Sequence, residues 1–183
     1  MEAIKKIQIN KILKIFFISI LGTLLLTISA KIKIPFYPVP MTMQTFMVLF
    51  FGIAFGYRIG LFIVSLYLFE GILGLPVFAN SPEKGVGLVY FTGPTMGYLI
   101  GFLISVFLIG FVELKKNYLS NFIKVLFSVS FIYLFGLLWL GILIGWDKPI
   151  FKLGAQPFLL AELFKITLLV ILIPYIQKLK KII

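Results

Sequence analysis

Two residues of opposite charge lie inside the last long apolar stretch of this sequence. Glu162 and Lys165 are three positions apart between Pro157 and Tyr175, whereas nearly all other charges lie between such stretches. Residues three apart in an α-helix share one face, so a carboxylate and an ammonium would project side by side. A carboxylate offers only acceptors and an ammonium only donors, so the pair suits a small solute that carries both N–H groups and an oxygen.

The energy of burial favours a ligand over mutual pairing as the reason for these two charges. A charge toward the middle of a bilayer costs about 2.5–3.5 kcal/mol on insertion scales. An ion pair three positions apart on one helix returns only about 0.2–0.5 kcal/mol. At about 1.5 Å per residue from Pro157, Glu162 is predicted roughly 7–8 Å and Lys165 roughly 12 Å below the outer end of the helix. The alternative is a purely structural membrane subunit, in which the two charges only neutralise each other.

Composition identifies an integral membrane protein. Of the 183 residues, 61% are hydrophobic, 17% aromatic and only 13% charged, and the mean hydropathy is +1.14. These values lie far from those of a soluble domain. The length allows about six spans of roughly 20 residues each and no separate catalytic domain. We therefore expect an all-α fold in which residues 1–183 form a single six-span membrane domain.

Charge and residue types exclude several functions. The net charge is +11, but the lysines are scattered at segment ends and form no basic stripe interleaved with aromatics, so no nucleic-acid partner is predicted. Cysteine and histidine are both absent, which leaves no basis for thiol chemistry or most metal sites. No metal and no cofactor are predicted. The G-x-x-x-x-G-K-[ST] phosphate loop is also missing, so energy for any transport would come from a partner.

Six apolar segments bounded by turn residues and charges predict six transmembrane helices. The second and third are shorter than about 20 residues and are joined by a tight turn at Gly56, so they tilt little, extend into the flanking loops or form a partly re-entrant hairpin. The first has a basic lead-in and could instead be a signal peptide ending near Ala30. The segments are Ile12 to Ala30, Met41 to Tyr57, Ile59 to Leu73, Pro94 to Val112, Phe122 to Ile144, and Pro157 to Tyr175.

Basic residues and loop composition predict the orientation and a lid. Eleven Lys and Arg residues lie on the side that holds both termini and 5 on the other, and Lys165 completes the 17. The termini are therefore predicted to be cytoplasmic. The outer loops, Lys31 to Pro40 and Gly74 to Thr92, combine prolines with apolar residues and are predicted to fold over the outer mouth as a lid. Glu70, near that mouth, either contacts Lys31 or Lys33 or reaches water.

Small residues recur at every fourth position in two segments, which predicts close helix packing. Ser19, Thr23 and Thr27 repeat the same spacing in the first segment. The two ridges are Gly52, Gly56 and Gly60, and Gly93, Gly97, Gly101 and Ser105.

Several blocks of the sequence together match a known family. They resemble the biotin-specific S component, or BioY family, of energy-coupling factor (ECF) vitamin transporters, over about residues 30–112 and 154–170. The blocks are Thr42-Met43-Gln44-Thr45-Phe46, Gly71-Ile72-Leu73-Gly74-Leu75-Pro76-Val77-Phe78, Gly93-Pro94-Thr95 with Gly97-Tyr98, and the acidic-x-x-Lys step from Glu162 to Lys165.

The resemblance implies a substrate-capture subunit rather than an enzyme. Such a subunit binds biotin from outside the cell and works with a membrane coupling (T) subunit and a pair of ATPases. Asn80, Glu162 and Lys165 match the polar residues of the family's pocket. We expect Glu162 to accept from the ureido N–H groups, Asn80 to bond the ureido region and Lys165 to meet a ligand oxygen. Other predicted ligand contacts are Tyr98 and Phe78 over the ring and tail, and Gln44 and Thr42 near the lid.

Departures from the family pattern leave alternatives open. The family usually has Asp at the position of Glu162, glycine at that of Met96, and often a glycine pair within residues 84–87. One alternative is therefore an S component for a different vitamin or small heterocycle. Another is a small membrane enzyme that acts on lipid with Glu162 as acid or base. Ser19, Thr23 and Thr27 are the predicted docking face for the coupling subunit, with ordinary packing inside the chain as the alternative.

Overall fold

A computed structural model describes residues 2–35, 37–115 and 117–182 of the chain. Five basic residues used for the predicted orientation, Lys5, Lys6, Lys11, Lys116 and Lys181, lie outside the residues whose side chains are described. The regular secondary structure of the described part is helical apart from one antiparallel pair of two-residue strands. The elements are α1 (Glu2–Lys31), β1 (Lys33–Ile34), β2 (Met41–Thr42), α2 (Gln44–Ile72), α3 (Met96–Phe111), α4 (Tyr118–Ile144), α5 (Ile150–Gly154) and α6 (Leu159–Ile176), with 3₁₀ turns at Gly87–Thr92, Gln156–Phe158 and Gln177–Ile182.

The predicted all-α membrane class is confirmed. In the part of the chain that the structure describes, four helical stretches are long and apolar enough to cross a bilayer, while α3 is apolar but has only 16 residues. A span needs about 20 residues when the helix is not tilted. The four stretches are Ile12–Lys31, Gln44–Ile72, Tyr118–Ile144 and Ile150–Lys180.

α2 is not a straight rod but reverses direction at Gly56. Gly56 has φ +78° and ψ 175°, a backbone conformation that interrupts the helix and that side chains with a Cβ rarely adopt. A Cβ built on Gly60 would lie 3.3 Å from the Cα of Gly52, although eight residues of continuous helix would separate these positions by about 12 Å. Residues 44–55 and 57–72 therefore form two antiparallel arms, and the predicted tight turn is confirmed.

The predicted close packing at the small-residue ridges is also confirmed. A Cβ at Gly101 would lie 2.6 Å from the Cα of Ile132 in α4. A Cβ at Gly52 would lie 2.9 Å from the carbonyl oxygen of Val106 in α3. Side chains at these positions would force backbones apart, so α3 fits between α2 and α4 only because glycines are present.

Several predicted helix starts are wrong by a few residues. α3 begins at Met96 rather than Pro94, because the Met96 N–H reaches back to the Gly93 carbonyl in a turn before the helix. α4 begins at Tyr118, four residues before the predicted start, because the Asn117 side chain caps the Ser120 N–H at 3.0 Å. α6 begins at Leu159 after a short 3₁₀ turn. Glu162 therefore lies in the first turn of α6, shallower than predicted.

The loops at one end of the bundle are ordered by long-range hydrogen bonds, and we call this the pocket end. The Tyr67 hydroxyl donates to the Val77 carbonyl at 2.9 Å, and the Met43 N–H donates to the Ser29 carbonyl at 3.2 Å. Lys31 and Lys33 donate to carbonyls of residues 78–81. Among the described residues neither lysine forms an ion pair with Glu70, so the first of the two predicted alternatives for Glu70 is wrong.

Candidate ligand-binding site

A cavity lies at the pocket end, between the loops and helices α2, α3, α4 and α6. It contains about 580 Å³ of atom-free space, counted together with its open mouth. The lining is mostly apolar and aromatic with a few polar groups, namely Val39, Pro40, Met41, Thr42, Gln44, Thr45, Phe78, Ala79, Tyr90, Thr95, Tyr98, Leu99, Phe102, Ile132, Tyr133, Phe158, Glu162 and Lys165.

One carboxylate oxygen of Glu162 is the centre of the polar cluster. Its Oε2 accepts from the Thr45 hydroxyl, the Tyr133 hydroxyl and the Lys165 ammonium, each at 3.1 Å. Glu162 and Lys165 are only 3% and 4% exposed. The position of Glu162 in the first turn of α6 adds a favourable interaction, because the N-terminal end of a helix carries partial positive charge. Three helices thus converge on a single buried carboxylate.

The other oxygen of Glu162 is left without a partner. Among the described residues, Oε1 is a buried atom with no hydrogen-bond partner. A buried acceptor without a donor costs about 1–3 kcal/mol, and more when it is charged. Because Glu162 lines the cavity, a ligand N–H group would relieve this cost.

Lys165, by contrast, has its donors occupied by the protein. Its Nζ donates to the Thr42 carbonyl at 2.8 Å, to the Thr45 hydroxyl at 3.0 Å and to Glu162 Oε2 at 3.1 Å. An ammonium has three hydrogens to donate. A ligand oxygen would have to replace one of these partners, so the arrangement fits Lys165 better as the group that holds Glu162 in place.

Aromatic rings form much of the cavity wall. Phe78 stacks on Tyr90 with ring centroids 4.6 Å apart and meets Tyr67 edge-on at 5.3 Å. Tyr98 meets Tyr133 edge-on, and its hydroxyl donates to the Gly154 carbonyl at 2.8 Å. Burial raises the pKa of the Tyr90 phenol, so this group stays protonated at neutral pH. The wall suits the apolar body of a ligand.

The structure brings six of the seven sequence-predicted ligand contacts to this cavity. Asn80 is the exception: it lines a small adjoining recess that shares Tyr90 and Thr95 with the cavity. Its side-chain oxygen lies 3.4 Å from Lys33 Nζ. The six in the cavity are Thr42, Gln44, Phe78, Tyr98, Glu162 and Lys165.

Two residues of the polar cluster were missed in the sequence. Tyr133 lies in the fifth apolar segment, which carries none of the matching blocks, although a hydroxyl in the middle of an apolar span was a signal that could have been used. Thr45 lies inside the block from Thr42 to Phe46, between the predicted contact Gln44 and the start of the apolar run, so its hydroxyl could have been added to the predicted contacts. The spacing of charges along one helix identified Glu162 and Lys165 as candidate site residues. The contacts with other helices could be identified only from the fold.

The small hydroxyl residues of α1 lie against the chain itself. Ser19 and Thr23 are buried and Thr27 is half-buried. All three hydroxyls donate to carbonyls of their own helix. The burial supports packing inside the chain as their role, and docking on a coupling subunit stays a prediction.

Comparison with known proteins identifies the family. The model of the BioY family matches residues 4–181. The chain belongs to the BioY family. It is 35% identical to a probable biotin transporter BioY of Pyrococcus horikoshii, over 84% of this chain and 90% of that protein. It is 33% identical to the biotin transporter BioY of Thermotoga maritima, over 86% of this chain and 92% of that protein.

A solved structure supports the same assignment for this BioY family member. The chain matches a crystal structure of the S-component for biotin from an ECF-type ABC transporter with a TM-score of 0.77 and 28% identity. The match covers 92% of this chain and 93% of that one. The apolar helices and the membership in the BioY family identify this chain as a multi-pass membrane transport protein rather than an enzyme.

Proposed function

We propose that this BioY family member is the substrate-binding S component of an ECF-type transporter and that its ligand is biotin. It captures the vitamin at the pocket end, and a membrane coupling subunit with a pair of ATPases supplies the energy for uptake. The two relatives, both named as biotin transporters, and the biotin S-component structure support this proposal. None of these proteins supports the lipid-enzyme alternative.

The observation that carries the proposal is the unpartnered Glu162 Oε1 beside an aromatic wall. Biotin has a ureido group with two N–H donors on a fused ring and an aliphatic tail that ends in a carboxylate. In the proposed complex a ureido N–H donates to Oε1, while Phe78, Tyr90 and Tyr98 cover the ring. Lys165 holds the carboxylate in place through its contact with Oε2. Gln44, Thr42 and Asn80 complete the polar surroundings at the lid.

We also infer that the chain crosses the membrane six times with both termini in the cytoplasm. The reversal at Gly56 supports this number, because it divides Gln44–Ile72 into two antiparallel arms of 12 and 16 residues. These arms and α3 are shorter than a standard span, and local thinning of the bilayer accommodates short helices at modest cost. The excess of Lys and Arg on the side of the termini supports the orientation.

Biotin binding to the purified protein tests the proposed function. We expect saturable binding at one site, and Glu162→Gln should weaken it about 10- to 100-fold. This range corresponds to about 1.5–3 kcal/mol for a hydrogen bond to a charged group. Isothermal titration calorimetry in detergent measures the dissociation constant.

Glu70→Gln is the matched control for this experiment. Glu70 is half-buried, is not among the residues that line the cavity, and loses the same charge in the same substitution. It should bind biotin as the unmodified chain does. Absence of saturable binding at micromolar biotin would contradict the assignment of the vitamin, and binding of another heterocycle in a competition panel would favour the alternative S component.

A further inference from the structure

The turn formed by residues 78–81 closes one side of the ligand cavity. Phe78 and Ala79 line the cavity, and Asn80 lines the adjoining recess. Residues 73–86 contain no helix or strand, so ladder hydrogen bonds do not fix this turn. Its carbonyl groups need other donors, since buried or half-buried polar backbone groups are costly when unpaired.

Lys31 supplies donors to this turn from the end of α1. Its Nζ donates to the Phe78 carbonyl at 2.8 Å and to the Ser81 carbonyl at 2.5 Å, and the Ser81 hydroxyl lies 3.5 Å away. The Ser81 hydroxyl itself donates to the Phe78 carbonyl at 2.8 Å. One ammonium thus joins the first and last residues of the turn. Hydrogen bonds from a charged donor are roughly twice as strong as neutral ones.

Lys33 contributes a second set of contacts from strand β1. Its Nζ donates to the Ala79 carbonyl at 2.7 Å and lies 3.4 Å from Asn80 Oδ1. β1 pairs with β2, and the carbonyl of Thr42 at the end of β2 accepts a hydrogen bond from Lys165. Lys33 therefore connects the turn to the hairpin that also contacts the polar cluster, and Lys31 connects the turn to α1.

We propose that Lys31 is a positioning residue for ligand binding, with Lys33 in a supporting role. Lys31 donates to the carbonyls of Phe78 and Ser81 and so holds the Phe78 ring against Tyr90, where this ring closes the cavity. Without the ammonium, the turn moves away from α1 and the closed wall opens. This inference rests on the proposed function, because the effect is measured through the ligand. A lysine at the end of a membrane helix that only reaches toward lipid headgroups would make none of these carbonyl contacts.

Substitutions of Lys31 test the role of the ammonium. Lys31→Met keeps the length of the side chain but removes the donors, and it should weaken biotin binding at least tenfold, chiefly through faster dissociation. Lys31→Arg keeps the charge and several donors, and it should bind within threefold of the unmodified chain. Lys33→Met should weaken binding by about threefold. Dissociation of radiolabelled biotin from purified protein and the melting temperature without ligand are measured for each variant.

Lys148→Met is the matched control. Lys148 is exposed, belongs to the same set of 5 basic residues outside the predicted cytoplasmic side, and pairs only with its neighbour Asp147 among the described residues. Its substitution removes the same charge and should change the affinity less than twofold. Hydrogen exchange adds a local measurement: with biotin bound, the amides of residues 81, 84 and 85, which close the turn, should exchange faster in Lys31→Met than in Lys148→Met.

The outcomes separate this inference from the proposed function. If the unmodified chain does not bind biotin, the proposed function fails. If it binds and Lys31→Met binds within twofold of it, the positioning role is overturned. The same conclusion follows if Lys31→Arg is as weak as Lys31→Met, because the loss would then come from altered packing. Should Lys31→Met not fold, Lys31→Gln takes its place with the same tenfold criterion, since its shorter side chain does not reach both carbonyls.

Discussion

The two carboxylate oxygens of Glu162 differ in their hydrogen-bond partners, and this difference defines the chemistry of the site. Three donors meet on Oε2, whereas Oε1 is buried with no partner among the described residues. A buried carboxylate needs compensation on both oxygens, so the protein has supplied one half of it. The remaining half fits an N–H group of a ligand. Tyr133 and Thr45 matter here because they occupy Oε2 and so leave Oε1 as the oxygen available to a ligand.

The balance between Glu162 and Lys165 leads to a prediction about stability and binding together. Removing one member of a buried pair leaves an uncompensated charge and costs about 3–5 kcal/mol, while replacing both members is often close to neutral. Lys165→Met should therefore lower the melting temperature markedly. The double variant Glu162→Gln with Lys165→Met should recover most of that loss. Biotin binding should stay at least tenfold weaker in both variants.

Melting curves and biotin titrations of the two single variants and the double variant provide the measurement. If the chain were a purely structural membrane subunit, the opposite result would be expected. If the pair served only to join helices, a double variant with restored stability would also retain biotin binding and uptake. Full activity of that variant would remove the ligand role of the pair.

At the scale of helices, the walls of the site depend on how closely α3 and α4 approach. Tyr98, Leu99 and Phe102 of α3 and Ile132 and Tyr133 of α4 all line the cavity. Gly101 lies among these α3 residues, and a Cβ there would meet the backbone of α4, at 2.6 Å from Ile132 Cα and 3.0 Å from the Phe131 carbonyl oxygen. Backbone atoms cannot rotate away as a side chain can. The spacing of the two helices therefore sets the width of the cavity.

Gly101→Ala should consequently impair both folding and ligand binding. Overpacking in a tight core costs about 1–3 kcal/mol, and the displaced α4 carries Tyr133 away from Glu162. We expect a lower melting temperature and biotin binding weakened by more than fivefold, measured on detergent-purified protein.

Gly22→Ala in α1 is the matched control for this prediction. The three atoms nearest to a Cβ at Gly22 would all belong to the side chain of Ile63, the closest at 2.7 Å, and alanine is the better helix former by about 1 kcal/mol. Because these are side-chain atoms and Ile63 does not line the cavity, binding should stay within twofold. Equal losses in the two variants would mean that backbone approach between α3 and α4 has no special part in the site.

At the scale of the whole molecule, the sequence predicted what depends on composition and on spacing within one helix. It identified the membrane class, the small-residue packing, the turn at Gly56 and the charged pair on one face of α6. It did not identify contacts between helices distant in the chain, such as Tyr133 with Glu162, 29 residues apart. It also placed Asn80 in the ligand cavity rather than in the adjoining recess, because the path of the 78–81 turn depends on Lys31 and Lys33. Long-range hydrogen bonds, which leave no periodic signal, account for these differences.

The proposed six crossings lead to a test of topology, and the chain suits it because it contains no native cysteine. Single cysteines in place of Lys84 and Lys148 should react with a membrane-impermeant maleimide in intact cells. Cysteines in place of Arg58 and Lys115 should react only after the cells are permeabilised. All four positions are exposed, so burial does not limit the reaction.

Arg58 is the decisive position because it follows the reversal at Gly56. If α2 crosses the membrane twice, the cysteine at this position reacts from the cytoplasmic side with the same pattern as that at Lys115. If the two arms form a re-entrant hairpin, the turn stays within the membrane and the cysteine reacts slowly from both sides, while that at Lys115 is unaffected. The arms of 12 and 16 residues would rise only about 18 and 24 Å as untilted helices, against a hydrocarbon core of about 30 Å. Reaction at Arg58 therefore also requires the bilayer to thin around α2, so its rate should fall in thicker membranes, whereas the rate at Lys148 should not.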